Sequence, residues 1–115
     1  MNVSATVSHV ESRKRWILAE PPAGELLVDD GAARAMVEGG KSLLAVGVVH
    51  VAGEFERGQT VRLLDQNRHE IARGVTNYNA GALRAIQGHQ SGDIPTILGF
   101  EYGPTVVHRD GLVLV

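Results

Sequence analysis

The stretch GGKSLLAVGV, residues 39–48, decides how the chain is interpreted, because it contains Gly-Lys-Ser, the ending of a phosphate-binding loop. Such a loop also needs a glycine five positions before the glycine of the triplet, and it leads from a strand into a helix. The residue at that earlier position is Ala35. The triplet here leaves a predicted helix, so no helix N-terminus faces it. The stretch therefore predicts a turn between a helix end and a strand, and not a nucleotide site.

A helix is predicted immediately before this stretch. The segment GELLVD, residues 24–29, is typical of a short strand, and Asp29 or Asp30 then offers a carboxylate that caps a helix running to about Glu38. A glycine just after the last helical turn readily adopts the left-handed conformation that a Cβ disfavours. Gly39 or Gly40 is therefore expected to end this helix.

The middle of the chain is rich in β-branched residues. Three runs, residues 46–51, 61–64 and 70–76, have the composition of strands. Turn-forming residues separate the runs, and Asn67 is the best candidate for a positive φ angle in the second connection. The three runs are expected to pair in sequence order as a meander.

Two more helices are predicted after these strands. Asn79 is placed to cap a helix that turns Leu83 and Ile86 inward. Ser91 is expected to begin a third, short helix. Pro95 is tolerated there because it falls in the first turn, where an N–H has no intrahelical partner.

The end of the chain is apolar and predicts two more strands, residues 105–108 and 112–115, around a turn at residues 109–111. Many short strands with two to three small helices between them favour an α+β fold. The final strand at the C-terminus suggests that about six short strands close into a small β-barrel.

Length and composition limit the number of domains and the class of protein. Its 115 residues suffice for one core, and 43% hydrophobic residues against 21% charged ones exclude a disordered class. No apolar run reaches the roughly 20 residues that a membrane span needs, and the N-terminus lacks signal-peptide features, so we expect a cytoplasmic protein without membrane contact. Residues 1–12 show no sustained period. They are expected to be a tail or the remnant of an interdomain connection, and residues 13–115 to be the domain.

Metal and catalytic motifs are weak in this chain. It has no cysteine, which excludes disulfides and thiolate ligands. His108, Arg109 and Asp110 are consecutive, and neighbouring side chains of a strand point to opposite faces, so they are not expected to form a triad. The histidines include no pair at i,i+4 spacing, so no metal site is expected; they are His9, His50, His69, His89 and His108.

The segment Arg13-Lys14-Arg15-Trp16 places three cations beside the only tryptophan. It could form a nucleic-acid patch in which the cations meet phosphate and the indole stacks on a base. The formal net charge of −2 means that any such surface would have to be local. The favoured interpretation is a solvated basic edge with Trp16 packed into the core, because large aromatic side chains are usually mostly buried.

Several motifs carry a family resemblance. DGAARAM at residues 30–36, GKSLL at 40–44 and the pair Gly47-Val48 resemble the signature of PUA domains, small pseudobarrels named for pseudouridine synthases and archaeosine transglycosylases. The motifs RKRWI, GEFERG, IARG, NY, ILGF and VHRD, in this order between residues 12 and 115, are similar to the C-terminal domain of bacterial glutamate 5-kinases. The resemblance implies a PUA-like β pseudobarrel.

The resemblance also implies a function. Enzymes of that kind phosphorylate the γ-carboxylate of glutamate with ATP and Mg²⁺ at the start of proline biosynthesis, and proline feeds back on them. In that family, ATP and Mg²⁺ belong to an N-terminal kinase domain. This chain is therefore expected to be a non-catalytic regulatory or assembly module. The implied partner is the kinase domain of the same protein, and oligomers would form through the parent enzyme.

The alternative is a free-standing RNA-binding module. Other PUA domains bind structured RNA through the first helix, the glycine-containing loop after it and the next strand. Carried over to this sequence, that surface includes Gly40, Lys41, Ser42 and Gly47. Together with the basic segment, the expected RNA or partner surface consists of Arg13, Lys14, Arg15, Gly40, Lys41, Ser42 and Gly47.

Overall fold

The computed structural model describes residues 15–115. Its first five residues, 15–19, are helical and are labelled α1. Short turns of 3₁₀ helix lie at Ala45–Gly47 and Ser91–Asp93. The remaining elements, in chain order, are β1 (Gly24–Val28), α2 (Asp30–Gly39), β2 (Leu43–Leu44), β3 (Val48–Ala52), β4 (Thr60–Leu64), β5 (Glu70–Thr76), α3 (Ala80–Ile86), α4 (Ile94–Leu98) and β6 (Thr105–Leu114).

All six strands belong to one sheet, in the order β2-β6-β5-β4-β1-β3. Strand β1 lies between β3, to which it is antiparallel, and β4, to which it is parallel. The predicted meander is therefore wrong, because only β4 and β5 pair as sequence neighbours within it. The connection at residues 53–59 is long enough to pass from one side of β1 to the other, where a tight hairpin turn would have paired β3 with β4.

The sheet is curled into a pseudobarrel, as predicted. Its two edge strands, β2 and β3, are consecutive in the chain and are joined only by the 3₁₀ turn Ala45–Gly47. Two edges joined by so short a turn must lie close together, so the sheet has to wrap around its core. This turn also corrects the predicted strand at residues 46–51, since β3 begins only at Val48.

Strand β6 replaces the two C-terminal strands that were predicted. Gly74 of β5 pairs with Leu112, whereas Thr76 pairs with Val107, so β6 carries extra residues between the two pairings. Residues 108–111 therefore form a bulge in one long strand, and not a turn between two strands. Before the bulge, β6 also pairs with β2, so it connects the short edge strand to the rest of the sheet.

Helices α2 and α3 are capped by the residues that the sequence predicts. The Asp29 side chain accepts a hydrogen bond from the Ala32 N–H at 2.7 Å, and Asn79 accepts one from the Ala82 N–H at 2.8 Å. Gly40 holds the left-handed position after α2, with φ of 61°. Its N–H donates to the carbonyl of Ala35, which satisfies one of the last carbonyls of the helix.

The connection between β4 and β5 differs from the prediction. Arg68, and not Asn67, has the positive φ, at 66°. The Asp65 carboxylate accepts from the N–H groups of Asn67 and His69 at 2.9 and 3.0 Å. These two bonds hold the residues on either side of Arg68, so the left-handed conformation falls on the residue between them.

The core fills the inside of the curled sheet and the space beneath α2 and α3. Tyr78 is its largest fully buried side chain, and its hydroxyl donates to the Gly103 carbonyl at 2.7 Å and accepts from the Tyr102 N–H at 2.9 Å. Other core residues with no exposed surface are Leu26, Val28, Ala45, Val61, Leu63, Ala72, Leu83, Ile86, Ile94, Val106 and Val107. Leu83 and Ile86 face inward as predicted.

The outer face of the sheet carries a network of four charged side chains. Arg62 of β4 donates to Glu25 of β1, and its Nε lies 3.3 Å from a Glu70 oxygen. Arg73 of β5 donates to the other oxygen of Glu70. The hydrogen bond from Arg73, with the positive charges of Arg73 and Arg62, holds the pKa of the Glu70 carboxyl below its usual value despite partial burial. The network links three adjacent strands.

Substitutions of the two adjacent glycines at the end of α2 are expected to have different effects on stability. Gly40→Val should lower the free energy of unfolding by about 1–2 kcal/mol, because a Cβ disfavours the left-handed conformation. Gly39→Ala is the matched control: its Cβ would meet only the flexible Lys41 side chain, at 3.3 Å, and alanine favours a helix by up to about 1 kcal/mol. Urea denaturation measures both. Equal losses in the two variants would contradict the assignment of the left-handed position to Gly40.

The Glu70 network is expected to make stability depend on pH. Because the pKa of Glu70 is lower in the folded chain, its carboxylate stabilises the fold above the unfolded-state value of about 4.3, and this contribution is lost as pH falls through the folded-state pKa. Glu70→Gln should therefore cost about 1 kcal/mol at neutral pH and progressively less below about pH 4.3.

Denaturation at several pH values checks this expectation. Glu38→Gln is the control, since Glu38 lies 4.0 Å from Arg34 in an exposed pair on α2, and it should cost about 0.5 kcal/mol or less. A Glu70→Gln deficit that stays constant down to pH 3 would show that the carboxylate charge is not what stabilises the network.

Candidate functional site

The turn Ala45–Gly47 packs directly against α2. A Cβ built on Gly47 would lie 2.6 Å from the Cβ of Ala32, closer than real side chains approach, so this position excludes any side chain. The Gly47 carbonyl also accepts the Asp29 N–H at 3.0 Å. Between the turn and the helix lies a depression of about 200 Å³, here named the α2 depression. It is lined by Asp29, Gly31, Ala32, Ala35, Ser42, Leu44, Val46 and Gly47.

A second depression lies on the other side of the loop after α2. It has a volume of about 220 Å³ and brings Lys41 together with Arg109 and Asp110 from the bulge in β6. It is named the Lys41–Arg109 depression, and Gly40 also lines it. The Ser42 hydroxyl accepts a hydrogen bond from the Arg109 N–H at 2.8 Å, which joins the loop to the bulge.

The structure thus brings together four of the predicted residues, Gly40, Lys41, Ser42 and Gly47, around the end of α2 and the following turn. Sequence reasoning missed Arg109 as part of this surface. Arg109 and Ser42 are 67 residues apart in the sequence. They lie close together because β2 pairs with β6, and no local sequence pattern indicates that pairing.

Of the three cations in the predicted basic segment, the structure describes only Arg15. Arg13 and Lys14 are outside the described residues, and Arg15 is exposed in α1. The prediction that Trp16 packs into the core is wrong, because its exposed fraction is 57%. Ile17 is fully buried in its place. Neighbouring helical residues point in different directions, so only one of the two can face the core.

Trp16 lines a separate groove of about 330 Å³. This feature is named the Trp16 groove, and it is lined by Trp16, Gly58, Val75, Asn77, His108 and Gly111. None of these residues lines either depression near α2. The bulge in β6 separates the two regions, since His108 faces the Trp16 groove while Arg109 faces Lys41. Trp16 and the four predicted residues near α2 therefore line different surfaces.

Metal ligands are not clustered in residues 15–115, where no group of three or more histidine, aspartate or glutamate side chains could hold an ion. His108 accepts a hydrogen bond at Nδ1 from the Asp110 N–H at 3.1 Å, a contact within the bulge. In the same part of the chain, no helix is both long and apolar enough to cross a membrane.

The fold and the packing of the glycine turn on α2 define the class of this protein. The sequence pattern of the PUA domain matches residues 24–98, and the chain belongs to the PUA domain family. A crystal structure of a PUA domain from Aeropyrum pernix, in complex with tartrate, superposes with a TM-score of 0.55 and 31% identity, covering 75% of this chain and 41% of that one.

Within the family, the chain is similar to glutamate 5-kinases. It is 52% identical over 109 residues to the enzyme of Citrobacter koseri, which covers 95% of this chain and 30% of that protein. It is 52% identical over 105 residues to the enzyme of Sodalis glossinidius, which covers 91% of this chain and 29% of that protein. The match falls on their C-terminal PUA region. The chain spans about a third of their length, and these residues include no kinase domain.

Proposed function

We propose that residues 13–115 form the regulatory and assembly module of a cytoplasmic glutamate 5-kinase. The parent enzyme would transfer a phosphoryl group from ATP to the γ-carboxylate of glutamate in the first step of proline biosynthesis. Its ATP and Mg²⁺ would be held by the kinase domain of the same polypeptide, and its oligomers would form through the whole enzyme. The module itself takes no part in the chemical step.

The observation that carries this proposal is the extent of the match. The match, at 52% identity, covers 95% of the chain but only 30% of the Citrobacter koseri enzyme. Identity at that level along nearly the whole chain supports a shared role, since a fold by itself tolerates extensive substitution of its core. A module joined to its enzyme acts at high effective concentration, so weak contacts suffice for coupling.

Removing the module from a full-length enzyme tests the proposal. An enzyme that ends before residue 13 of this chain should still phosphorylate glutamate with ATP, but its inhibition by proline or its oligomeric state should change. Kinetic titration with proline and sedimentation velocity measure the two properties. Unchanged inhibition and unchanged assembly would contradict the proposal, as would turnover of ATP and glutamate by the 115-residue chain alone.

RNA binding is the second candidate, and the Lys41–Arg109 depression favours it. Two cations from distant parts of the chain line one depression next to Ser42 and the glycine turn. Such a placement suits two backbone phosphates of a structured RNA. The carboxylates of Asp110 and Asp29 line the same two depressions and oppose this role. The charge on this surface is therefore mixed, which ranks RNA binding second.

A titration with stem-loop RNA distinguishes this candidate. If RNA binds here, Lys41→Ala and Arg109→Ala should each weaken binding and reduce the slope of log K against log salt by about 1. Arg84→Ala is the control, because Arg84 of α3 is an exposed cation that contacts Glu54 and the Gly53 carbonyl instead. An RNA that shifts no backbone resonance of residues 40–42 at low salt would exclude this role.

A further inference from the structure

The Trp16 groove is a preformed feature of the sheet. It lies where the bulge at residues 108–111 diverges from β5, and two of its six lining residues are glycines that contribute no side chain. Trp16 forms one wall with more than half of its surface exposed. A tryptophan exposed beside a groove is unusual on an isolated domain, and indole rings are enriched at the centres of protein interfaces.

A row of exposed aromatic rings continues this surface. Phe100 and Tyr102 have exposed fractions of 44% and 47%, with ring centroids 5.2 Å apart. Arg57 stacks over the Tyr102 ring at 3.9 Å, and it precedes Gly58 of the groove in the chain. We name Arg57, Phe100 and Tyr102 the aromatic row. The chain neighbours Arg57 and Gly58 join it to the Trp16 groove.

The aromatic row is held in place from beneath. The buried Tyr78 hydroxyl accepts the Tyr102 N–H at 2.9 Å, and the rings of Tyr78 and Tyr102 lie 5.6 Å apart. The stacked guanidinium of Arg57 covers one face of the Tyr102 ring. Side chains fixed in this way lose little conformational entropy when a partner binds, which is the property of an interface anchor.

The charges along this surface favour a protein partner over a nucleic acid. The exposed cations are Arg57 and Arg15, the neighbour of Trp16 in α1. Glu56 and Glu101 adjoin the aromatic row in the chain and are exposed, and the Asp110 carboxylate lies 3.7 Å from His108 of the groove. A single-stranded nucleic acid would need an excess of cations beside the stacking rings to neutralise its phosphates. Aromatic residues and arginine within a mixed-charge rim are instead the composition of protein interfaces.

The length of the related enzymes suggests a partner for this surface. The chain matches the C-terminal PUA region of enzymes about three times its length, so most of each enzyme precedes the matched region. Trp16 lies in α1, the first element of the described chain, where that preceding part would enter. We propose that the Trp16 groove and the aromatic row dock the kinase domain of the same polypeptide, an inference that rests on the proposed function.

Hydroxyl-radical footprinting with mass spectrometry tests the docking residue by residue. The probe compares the free 115-residue chain with a full-length glutamate 5-kinase that carries residues 13–115 as its C-terminal region. Trp16, Phe100 and Tyr102 should be oxidised readily in the free chain and several-fold more slowly in the full-length enzyme. Leu44 is the matched control, since it is 40% exposed but lines the α2 depression, and its labelling should not change.

Two variants separate docking from folding. Trp16→Ala and Leu44→Ala both remove exposed side chains, so neither should change thermal unfolding of the free chain by more than a few degrees. In the full-length enzyme, Trp16→Ala should remove the protection of Tyr102, and Leu44→Ala should leave it intact. Equal labelling of Trp16 in the free chain and in the full-length enzyme overturns the proposal.

Other occupants give different results. Protection that rises with the concentration of the free chain identifies a second copy, and protection produced by added single-stranded RNA identifies a nucleic acid; either result overturns the proposal.

The docking proposal and the proposed function can be disproved independently of each other. Deletion of the module that alters proline inhibition while Trp16 stays exposed disproves only the docking. Protection of Trp16 without any effect of the deletion supports the docking and disproves the regulatory role.

Discussion

The contact between Gly47 and α2 is the constraint on which the rest of the structure depends. The turn Ala45–Gly47 joins the two edges of the sheet, and it lies against the helix at a distance that leaves no room for a Cβ. The backbone bond from Asp29 to Gly47 fixes the same approach, and the side chain of Asp29 caps the helix. One glycine therefore couples the curvature of the sheet to the position of α2 and to the depression between them.

The bulge in β6 has a comparable effect on the opposite side of the sheet. It directs His108 towards the Trp16 groove and Arg109 towards Lys41, so one irregularity serves two surfaces. The surface near α2 combines apolar side chains with two cations, Lys41 and Arg109, and with the carboxylates of Asp29 and Asp110. The Trp16 surface is aromatic and of mixed charge. Aromatic rings within a mixed-charge rim are the composition of protein interfaces.

The helix caps were predictable because a short-range interaction decides their conformation, although the local turn at Arg68 was not. Asp29 and Asn79 cap their helices because a carboxylate or amide oxygen reaches an N–H three residues later. Pairing partners were not predictable in the same way. The meander failed because β1 inserts between β3 and β4, and Trp16 was misplaced because the choice between it and Ile17 depends on where α1 lies on the sheet.

The sequence by itself determined the caps of α2 and α3, the glycine turn after α2, the approximate positions of β1, β4 and β5, and the family. Each depends on residues close together in the chain or on motifs in a particular order along it. Only the tertiary structure decided that Lys41 and Arg109 line one depression, that Trp16 is exposed, and that Trp16 lies on a different surface from the loop after α2. These facts follow from strand pairing across distant parts of the chain. The free energy of such pairing comes from the burial of the whole core and is not encoded in any single segment.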